Sequence, residues 1–422
     1  TLPPSPPISH RGLAYSQPSE FIKPIFKCWQ NPYSKQNPQG YINLGVAESV
    51  LNKDLLVQKI ADIRKEHLVD SNTFGYGDFG GSLKMKQAMS AFFQRHMLKV
   101  DHELNPDHFL VYAGTNTVLE TIGAVICNED EYLLLDSPYY HALPMDFARR
   151  FDVLLESVPL VLKDGQYHVD FETFRTLLTE NKKIRGILLV NPHNPTGKLY
   201  TEREIQGLLD LCLEFNVHLI SDEVYAQSVL DPSKEFKSVY HYVCTEKDAE
   251  RAKRLEGLVS IIYSASKDWG LNGFRLAFLY TRNQQILASM QSVADMNLVS
   301  RDTMLLMENF YSDEEFLQKF IKTNQERLRK MAAKLMAFLD EHSDVIEYVK
   351  PDAGMFVYFR TKKRDIDQVK VFDSIMDEGR VMLAQGRFFQ DVNTHWYRCC
   401  FASMEWEDLE LAFNRVIKAL QK

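Results

Sequence analysis

The chain has 422 residues, of which 45% are hydrophobic and 25% are charged, and its formal net charge is −8. This length and composition predict two or three globular lobes around a large core. The negative charge disfavours a nucleic-acid surface, and no apolar run approaches the roughly 20 residues that cross a bilayer.

The first part of the chain divides into two segments. Residues 1–40 are rich in Pro, Ser, Gln and Asn, which predicts an extended arm. The first residues of this arm lack the basic and apolar regions of a signal peptide. Residues 41–100 are predicted to begin the small domain and lead into the large one, with a helix over 55–68.

Residues 101–310 are predicted to form the large domain. Short apolar runs that suit buried strands lie at 109–113, 132–135, 184–190, 217–221 and 259–263. Helical stretches such as 118–127 and 202–215 lie between several of them. Because strands alternate with helices, we expect an α/β fold with a mainly parallel sheet covered on both faces.

Residues 311–422 are predicted to form a smaller C-terminal domain of α+β type. A charged helical stretch at about 313–341 begins it. Strands are predicted at 355–359, 381–384 and 397–401, and a helix near 366–378.

The cysteines and histidines show no metal-binding or disulfide pattern. The cysteines are Cys28, Cys127, Cys212, Cys244, Cys399 and Cys400. None forms a CxxC pair, which favours reduced thiols in a cytoplasmic protein. No metal site is predicted.

Polar turns follow several of the predicted strands at their carboxyl ends, where open α/β sheets bind ligands. Three of them carry Asn194; Asp222 and Tyr225; and Ser264, Ser266 and Lys267, with Arg275 soon after. A fourth turn joins a strand to a helix start at Thr115 and Asn116, where free N–H groups suit a phosphate. Any one of these turns is a weak signal, but together they supply an amide, a carboxylate, a phenol, hydroxyls, an amine and a guanidinium.

The order and spacing of these turns resemble the fold-type I enzymes that use pyridoxal 5′-phosphate (PLP), the class I/II aminotransferases and their relatives. The resemblance implies that Lys267 holds PLP as a Schiff base and that Asp222 pairs with the pyridine nitrogen, making the ring an electron sink. It also implies that Asn194 and Tyr225 contact the ring hydroxyl and that Tyr140 stacks on the ring. The implied phosphate ligands are Thr115, Asn116, Ser264, Ser266 and Arg275.

Local segments are most similar to 1-aminocyclopropane-1-carboxylate (ACC) synthases and ACC-synthase-like proteins. These segments are residues 45–48, 266–275 and 396–402. The similarity implies that Ala47 and Glu48 contact the substrate. Arg398 falls where this family clamps the substrate α-carboxylate, which a planar guanidinium matches with two hydrogen bonds.

Two features depart from the ACC synthases. Phe79 stands where those enzymes have a tyrosine that helps catalysis, and residues 195–197, Pro-Thr-Gly, have the aminotransferase form. Tyr76 resembles the aminotransferase tyrosine that reaches the phosphate of a neighbouring subunit. The resemblance therefore implies a homodimer with shared active sites.

Three functions stay open. The first is a carbon–sulfur lyase for a small amino-acid-derived substrate, in which Lys267 removes the α-proton and a sulfur group leaves by β- or γ-elimination. The second is an aminotransferase that converts an amino acid to a keto acid with the same residues. The third is a non-catalytic binding protein on this fold.

Overall fold

The N-terminal segment is helical where the sequence predicts an extended arm, and the structure corrects that prediction. The computed structural model describes residues 7–17, 19–67, 69, 71–363, 367–393 and 395–421, and of residue 72 only the backbone. Helix α1 (His10–Tyr15) begins after Ser9, whose hydroxyl accepts a hydrogen bond from the Gly12 N–H at 3.0 Å. Helix α2 (Ile22–Gln30) follows.

Helix α2 forms because its apolar residues recur at helical spacing. Ile22, Ile25, Phe26 and Trp29 follow the i, i+3, i+4, i+7 pattern. The helix buries Ile25 and Cys28 against the rest of the protein. Burial of Ile25 and Cys28 therefore outweighs the polar, proline-rich composition of the surrounding arm, while Phe26 and Trp29 on the same helix stay exposed.

The next elements are β1 (Ile42–Asn43), α3 (Lys53–Glu66) and α4 (Leu83–Phe92). Helix α3 confirms the predicted helix over 55–68 as far as Glu66; His67 caps its end, and residue 68 lies outside the described residues. Ser82 caps α4 by accepting a hydrogen bond from the Met85 N–H.

The middle of the chain alternates strands and helices as predicted. Its elements are β2 (Phe109–Tyr112), α5 (Thr115–Ile126), β3 (Tyr132–Ser137), α6 (Leu143–Phe151), β4 (Leu154–Pro159), β5 (Val161–Lys163), β6 (Gln166–His168), α7 (Phe171–Glu180), β7 (Ile184–Val190), α8 (Glu202–Phe215), β8 (His218–Asp222), α9 (Val239–Cys244), α10 (Ala249–Leu258), β9 (Val259–Ser264), β10 (Ala277–Thr281), α11 (Gln284–Ser292) and α12 (Arg301–Tyr311).

A seven-stranded sheet forms the centre of this region, in the order β2-β10-β9-β8-β7-β3-β4. Strand β10 is antiparallel to both of its neighbours, and every other pair in the sheet is parallel. All residues of β9 are buried, as expected for a strand with helices on both faces. The mainly parallel α/β sheet is therefore confirmed.

The C-terminal part forms the predicted smaller α+β unit. Its elements are α13 (Glu314–Glu341), β11 (Ile346–Val349), β12 (Phe356–Thr361), α14 (Gln368–Asp373), β13 (Val381–Met382), β14 (Ala384–Gln385), β15 (Trp396–Cys400) and α15 (Trp406–Gln421). Strands β11-β12-β15-β14 form an antiparallel sheet, and β13 pairs with β1. The single strand predicted over 381–384 is thus two short strands in different sheets. The domain boundaries at residues 40, 100 and 310 stay predictions.

The described residues contain no membrane-spanning helix, no disulfide and no metal-binding group. None of their helices is long and apolar enough to span a bilayer. All six cysteines are free thiols. Among the described side chains, no group of three or more His, Cys, Asp or Glu is arranged to hold a metal ion.

Candidate active site

The predicted turns meet at the carboxyl edge of the large sheet. Asn194 follows β7, Asp222 ends β8, and Lys267 follows β9. These three strands are neighbours in the sheet, so their ends bring the three side chains together. They line a cavity of about 240 Å³, which also contacts Thr115, Asn116, Tyr140, Tyr225, Ser266 and Arg275.

Lys267 places its amine at the cavity wall. The Nζ atom donates a hydrogen bond to the Ala47 carbonyl at 2.8 Å. Burial, with a contribution from the positive charge of Arg398, lowers the pKa of this amine to about 8. A larger fraction of this amine is therefore neutral and nucleophilic near pH 7 than in a surface lysine.

Asp222 lies at the base of the cavity and is 5% exposed. Its Oδ1 atom accepts a hydrogen bond from the Val224 N–H at 3.3 Å. Burial raises the pKa of this carboxyl to about 7. A buried carboxylate with so few donors is stabilised by a positively charged partner, and a protonated pyridine nitrogen is such a partner.

The start of α5 forms a cradle that fits a phosphate. No side chain caps this helix in the described structure, so its first N–H groups are available. Gly114 has a φ of 102°, a backbone conformation that favours glycine, and a Cβ there would lie 2.2 Å from the present position of Arg275 Nη2. Ser266 lines the cavity, whereas Ser264 lies behind it, with the two hydroxyl oxygens 2.9 Å apart. Ser264 therefore supports Ser266 in this structure.

Arg398 extends from β15 to Asn194 at the edge of the cavity and is 1% exposed. Its Nη1 donates to Asn194 Oδ1 at 2.8 Å, and its Nη2 donates to the Gly45 carbonyl. Its Nε is buried and has no hydrogen-bond partner among the described residues. A buried guanidinium without a carboxylate leaves an uncompensated charge, so the site fits an anionic ligand.

Two tyrosines complete the walls. The Tyr225 ring packs perpendicular to Phe356, with the ring centroids 5.2 Å apart. Burial holds the pKa of the Tyr225 phenol well above its ordinary value, so the hydroxyl stays protonated and can donate a hydrogen bond. Burial also raises the pKa of Tyr140, which lines the cavity from the loop after β3.

The remaining predicted residues lie at the rim or outside the cavity. Glu48 is exposed, and its Oε1 accepts a hydrogen bond from Asn272 Nδ2 at 2.8 Å. Ala47 contributes its backbone carbonyl to Lys267. Tyr76 is 92% exposed and does not line the cavity of its own chain.

Asp146 is a cavity residue that the sequence interpretation missed. It lies in α6, and its Oδ1 accepts a hydrogen bond from Asn116 Nδ2 at 2.7 Å. Its Oδ2 is buried and finds no partner among the described residues, and burial raises the pKa of the carboxyl to about 7. Asp146 lies inside α6 and not in the turn that follows β3, so the pattern of polar turns at strand ends did not indicate it.

Comparison with known proteins agrees with this geometry. Residues 39–416 match the family of class I and II aminotransferases. The 1-aminocyclopropane-1-carboxylate synthase 7 of Arabidopsis thaliana is 30% identical over 417 residues, which cover 93% of this chain and 91% of that protein.

Solved structures share the fold at lower sequence identity. Aspartate aminotransferase from Thermus thermophilus with maleate has a TM-score of 0.80 at 18% identity, over 98% of this chain and 100% of that one. The PLP-bound C–S lyase from Staphylococcus hominis has a TM-score of 0.76 at 19% identity, over 90% and 92% of the two chains. The chain therefore belongs to the class I and II aminotransferase family, as a fold-type I enzyme related to the ACC synthases, and its cofactor is PLP.

Proposed function

We propose that the protein is a PLP-dependent carbon–sulfur lyase that acts on an amino-acid-derived substrate by β- or γ-elimination. The observation that carries the proposal is a second chamber of about 500 Å³ beside Lys267 and Arg398. Elimination releases a substituent from Cβ or Cγ of the substrate, and the chamber supplies space for that group next to the base. Transamination releases no group from the side chain, so it uses this space only for a bulky side chain that stays on the substrate.

The cavity residues suit the first bond cleavage. Bound PLP supplies an electron sink for the electron pair left at the substrate α-carbon. Arg398 would bind the α-carboxylate with its planar fork and so orient the Cα–H bond. Lys267 Nζ would take the α-proton, since its lowered pKa of about 8 leaves a useful fraction of neutral amine near pH 7.

Other residues would hold the cofactor for this step. Asp222 would keep a proton at the pyridine nitrogen, while Asn194 and Tyr225 would contact the ring hydroxyl. Tyr140 would cover the ring face and exclude water. The phosphate would be held at the start of α5 by Thr115, Asn116, Ser266 and Arg275, with Ser264 behind them.

The relatives support chemistry with a leaving group. The ACC synthases are named for a product whose ring joins Cα to Cγ, and forming that ring displaces a group from Cγ. Phe79 has no hydroxyl where the resembled enzymes have a tyrosine, and it is 47% exposed. We therefore propose that this enzyme expels a leaving group from the substrate side chain, as the ACC synthases do, but does not form the cyclopropane ring.

The test is a single-turnover and steady-state assay of the PLP-loaded protein with S-benzyl-L-cysteine and S-methyl-L-cysteine. Elimination releases a thiol and leaves the cofactor spectrum unchanged after turnover. Transfer of the amino group to the cofactor without released thiol would contradict the proposal. Lys267→Ala is the control for thiol released without the enzyme's base.

An aminotransferase is the second candidate. Residues 195–197 have the Pro-Thr-Gly form of that family, and the family match spans residues 39–416. In the same assay an aminotransferase would yield the pyridoxamine form of the cofactor and a keto acid. Addition of a second keto acid would then restore the original spectrum.

We further propose that the enzyme is a homodimer whose subunits share active sites through Tyr76. Several large apolar side chains near Tyr76 are exposed in the single chain, namely Phe74 at 82%, Phe79 at 47% and Leu83 at 58%. An exposed group of this kind favours an interface. A second copy would cover it and bring Tyr76 to the neighbouring phosphate cradle.

Mixed dimers test this arrangement. A Tyr76→Phe subunit combined with a Lys267→Ala subunit creates one site with both native residues, whereas each parent homodimer has none. Recovery of activity when heterodimers form supports shared sites. Heterodimers without recovered activity, or a fully active monomer in sedimentation, would contradict the proposal.

A further inference from the structure

The second chamber has one wall made by the N-terminal segment and another made by the loop after β3. The first wall consists of Phe21, Ile22, Ile25 and Trp29. The second includes Tyr140, His141 and Ala142 and continues into α6 with Met145, beside the charged residues Asp146 and Arg149. Both walls are mainly apolar, in contrast to the polar cofactor cavity beside them.

The chamber is continuous with the cofactor cavity. Val46, Asn116, Tyr140, Asp146 and Lys267 line both spaces. Arg398 lies at the chamber, close to Lys267. An amino acid whose carboxylate binds Arg398 and whose α-carbon lies beside Lys267 would place its side chain in or next to the chamber.

Apart from Lys267 and Arg398, the described lining of the chamber offers a side-chain carboxylate no cation deeper than its exposed rim. Burial keeps the pKa of His141 well below its ordinary value, so its imidazole is neutral near pH 7. Glu120, which lines the chamber, is paired with Arg150 at 3.0 Å, so the Arg150 guanidinium already has a carboxylate partner. Arg149 is exposed at the rim, where its guanidinium lies 5.7 Å from the ring of Tyr15.

Contacts on both sides hold the N-terminal wall in place. The Phe21 ring lies 3.6 Å from the ring of His141 and 5.4 Å from that of Phe388, measured between centroids. Phe21 and Ile25 are each 6% exposed. The Tyr15 hydroxyl donates a hydrogen bond to the Arg149 carbonyl at 2.5 Å. The wall is therefore a packed part of the structure.

We propose that this chamber is a subsite for a bulky, uncharged and mainly apolar substituent on the substrate side chain, such as an S-benzyl or S-aryl group. Its volume of about 500 Å³ also has to hold the substrate backbone at Arg398, and the remaining space still exceeds what a methyl side chain occupies. The proposal rests on the proposed function in one respect, since it takes the substrate to be an amino acid held at Lys267 and Arg398.

Ligand binding tests the subsite without turnover. The α-methyl analogues of S-benzyl-L-cysteine and S-methyl-L-cysteine have no α-proton, so calorimetry on the PLP-loaded protein measures affinity alone. We expect the benzyl ligand to bind about 10–100-fold more tightly, because burial of a phenyl ring removes a large apolar surface from water. Equal affinity, or tighter binding of the methyl ligand, would overturn the proposal.

A matched pair of variants locates the effect. Ile22→Trp adds bulk at a half-buried position of the chamber wall, whereas Lys23→Trp adds the same bulk at the next, exposed position of α2 outside the chamber. Ile22→Trp should weaken binding of the benzyl ligand at least about 10-fold and change the methyl ligand less than about threefold. Lys23→Trp should leave both affinities unchanged. Equal losses for both ligands, or equal effects of both variants, would overturn the subsite.

The binding assay also separates this proposal from the proposed function. If the enzyme proves to be an aminotransferase, the preference for the benzyl ligand and its loss in Ile22→Trp are still expected. If thiol release is observed without any preference for the benzyl ligand, the lyase stands and the subsite fails.

Discussion

The cofactor cavity and the second chamber lie side by side but are built differently. The cavity takes its side chains from the ends of β7, β8 and β9, and their positions follow from the buried sheet. The chamber takes its apolar walls from α2 with the preceding Phe21 and from the loop after β3 with the start of α6. The buried sheet thus positions the reactive side chains of the cavity. The N-terminal segment at the periphery of the protein forms one wall of the chamber beside them.

The two spaces also differ in electrostatics. In the cavity, burial shifts the pKa of Lys267 to about 8 and that of Asp222 to about 7. The chamber wall is mainly apolar, and burial keeps the His141 ring neutral. Substitutions in the cavity should therefore remove activity, whereas those in the chamber should change which substrate is preferred.

The largest effect is expected for Lys267→Ala, which removes both the cofactor tether and the proposed base. Turnover should fall to the background rate, and the visible absorbance of lysine-bound PLP should disappear. Absorbance spectra with PLP and thiol-release assays measure both effects. Normal absorbance together with normal turnover in this variant would mean that another residue holds the cofactor.

Asp222→Ala should come next. Loss of the carboxylate leaves the pyridine nitrogen without its charged partner, so we expect turnover to fall by several orders of magnitude, corresponding to about 4–7 kcal/mol of barrier. Steady-state kinetics at saturating PLP measures this. A loss below about tenfold would show that a different group serves the nitrogen.

Arg398→Lys should raise KM for substrates with a free α-carboxylate by about 10–100-fold, since an ammonium cannot reproduce the two-pronged guanidinium contact. The affinity for PLP should change much less. Titration with PLP and substrate saturation curves separate the two effects. An unchanged KM would indicate a substrate whose carboxylate is blocked or cyclised.

Asp222→Asn should stabilise the cofactor-free protein in a pH-dependent way. The folded pKa of about 7 lies above the ordinary value of about 3.9, so folding takes up a proton between these pH values and Asp222 lowers stability as pH rises through them. The stability gain of the variant should be near zero at pH 4 and reach about 1–3 kcal/mol above pH 7. Chemical denaturation across this range provides the measurement. A gain in the free energy of unfolding that does not depend on pH would contradict the raised pKa of Asp222.

The smallest effect is expected in the chamber. Trp29 is 67% exposed, so Trp29→Ala should leave stability and PLP binding nearly unchanged. It removes part of the chamber wall, so KM for S-benzyl-L-cysteine should rise about two- to fivefold, with little change for S-methyl-L-cysteine. Parallel kinetics with the two substrates gives this ratio. Equal changes for both would place Trp29 outside the substrate's reach.

The sequence by itself determined the fold class and the residues at the strand ends. The apolar run at 184–190 and the helical stretch at 202–215 correspond to β7 and α8 with the same bounds. Because a parallel sheet places its carboxyl ends along one edge, the positions of Asn194, Asp222 and Lys267 follow from that local pattern. Their catalytic roles come from the resemblance and stay proposals.

Only the tertiary structure decided the contacts between distant segments. Arg398 meets Asn194, and Lys267 meets Ala47, across separations of 204 and 220 residues that no local periodicity encodes. Helix α2 has a helical apolar pattern, but its role as a chamber wall arises because Phe21 packs against His141 and Phe388. Local propensity specifies each element, whereas long-range packing decides which surfaces face the substrate.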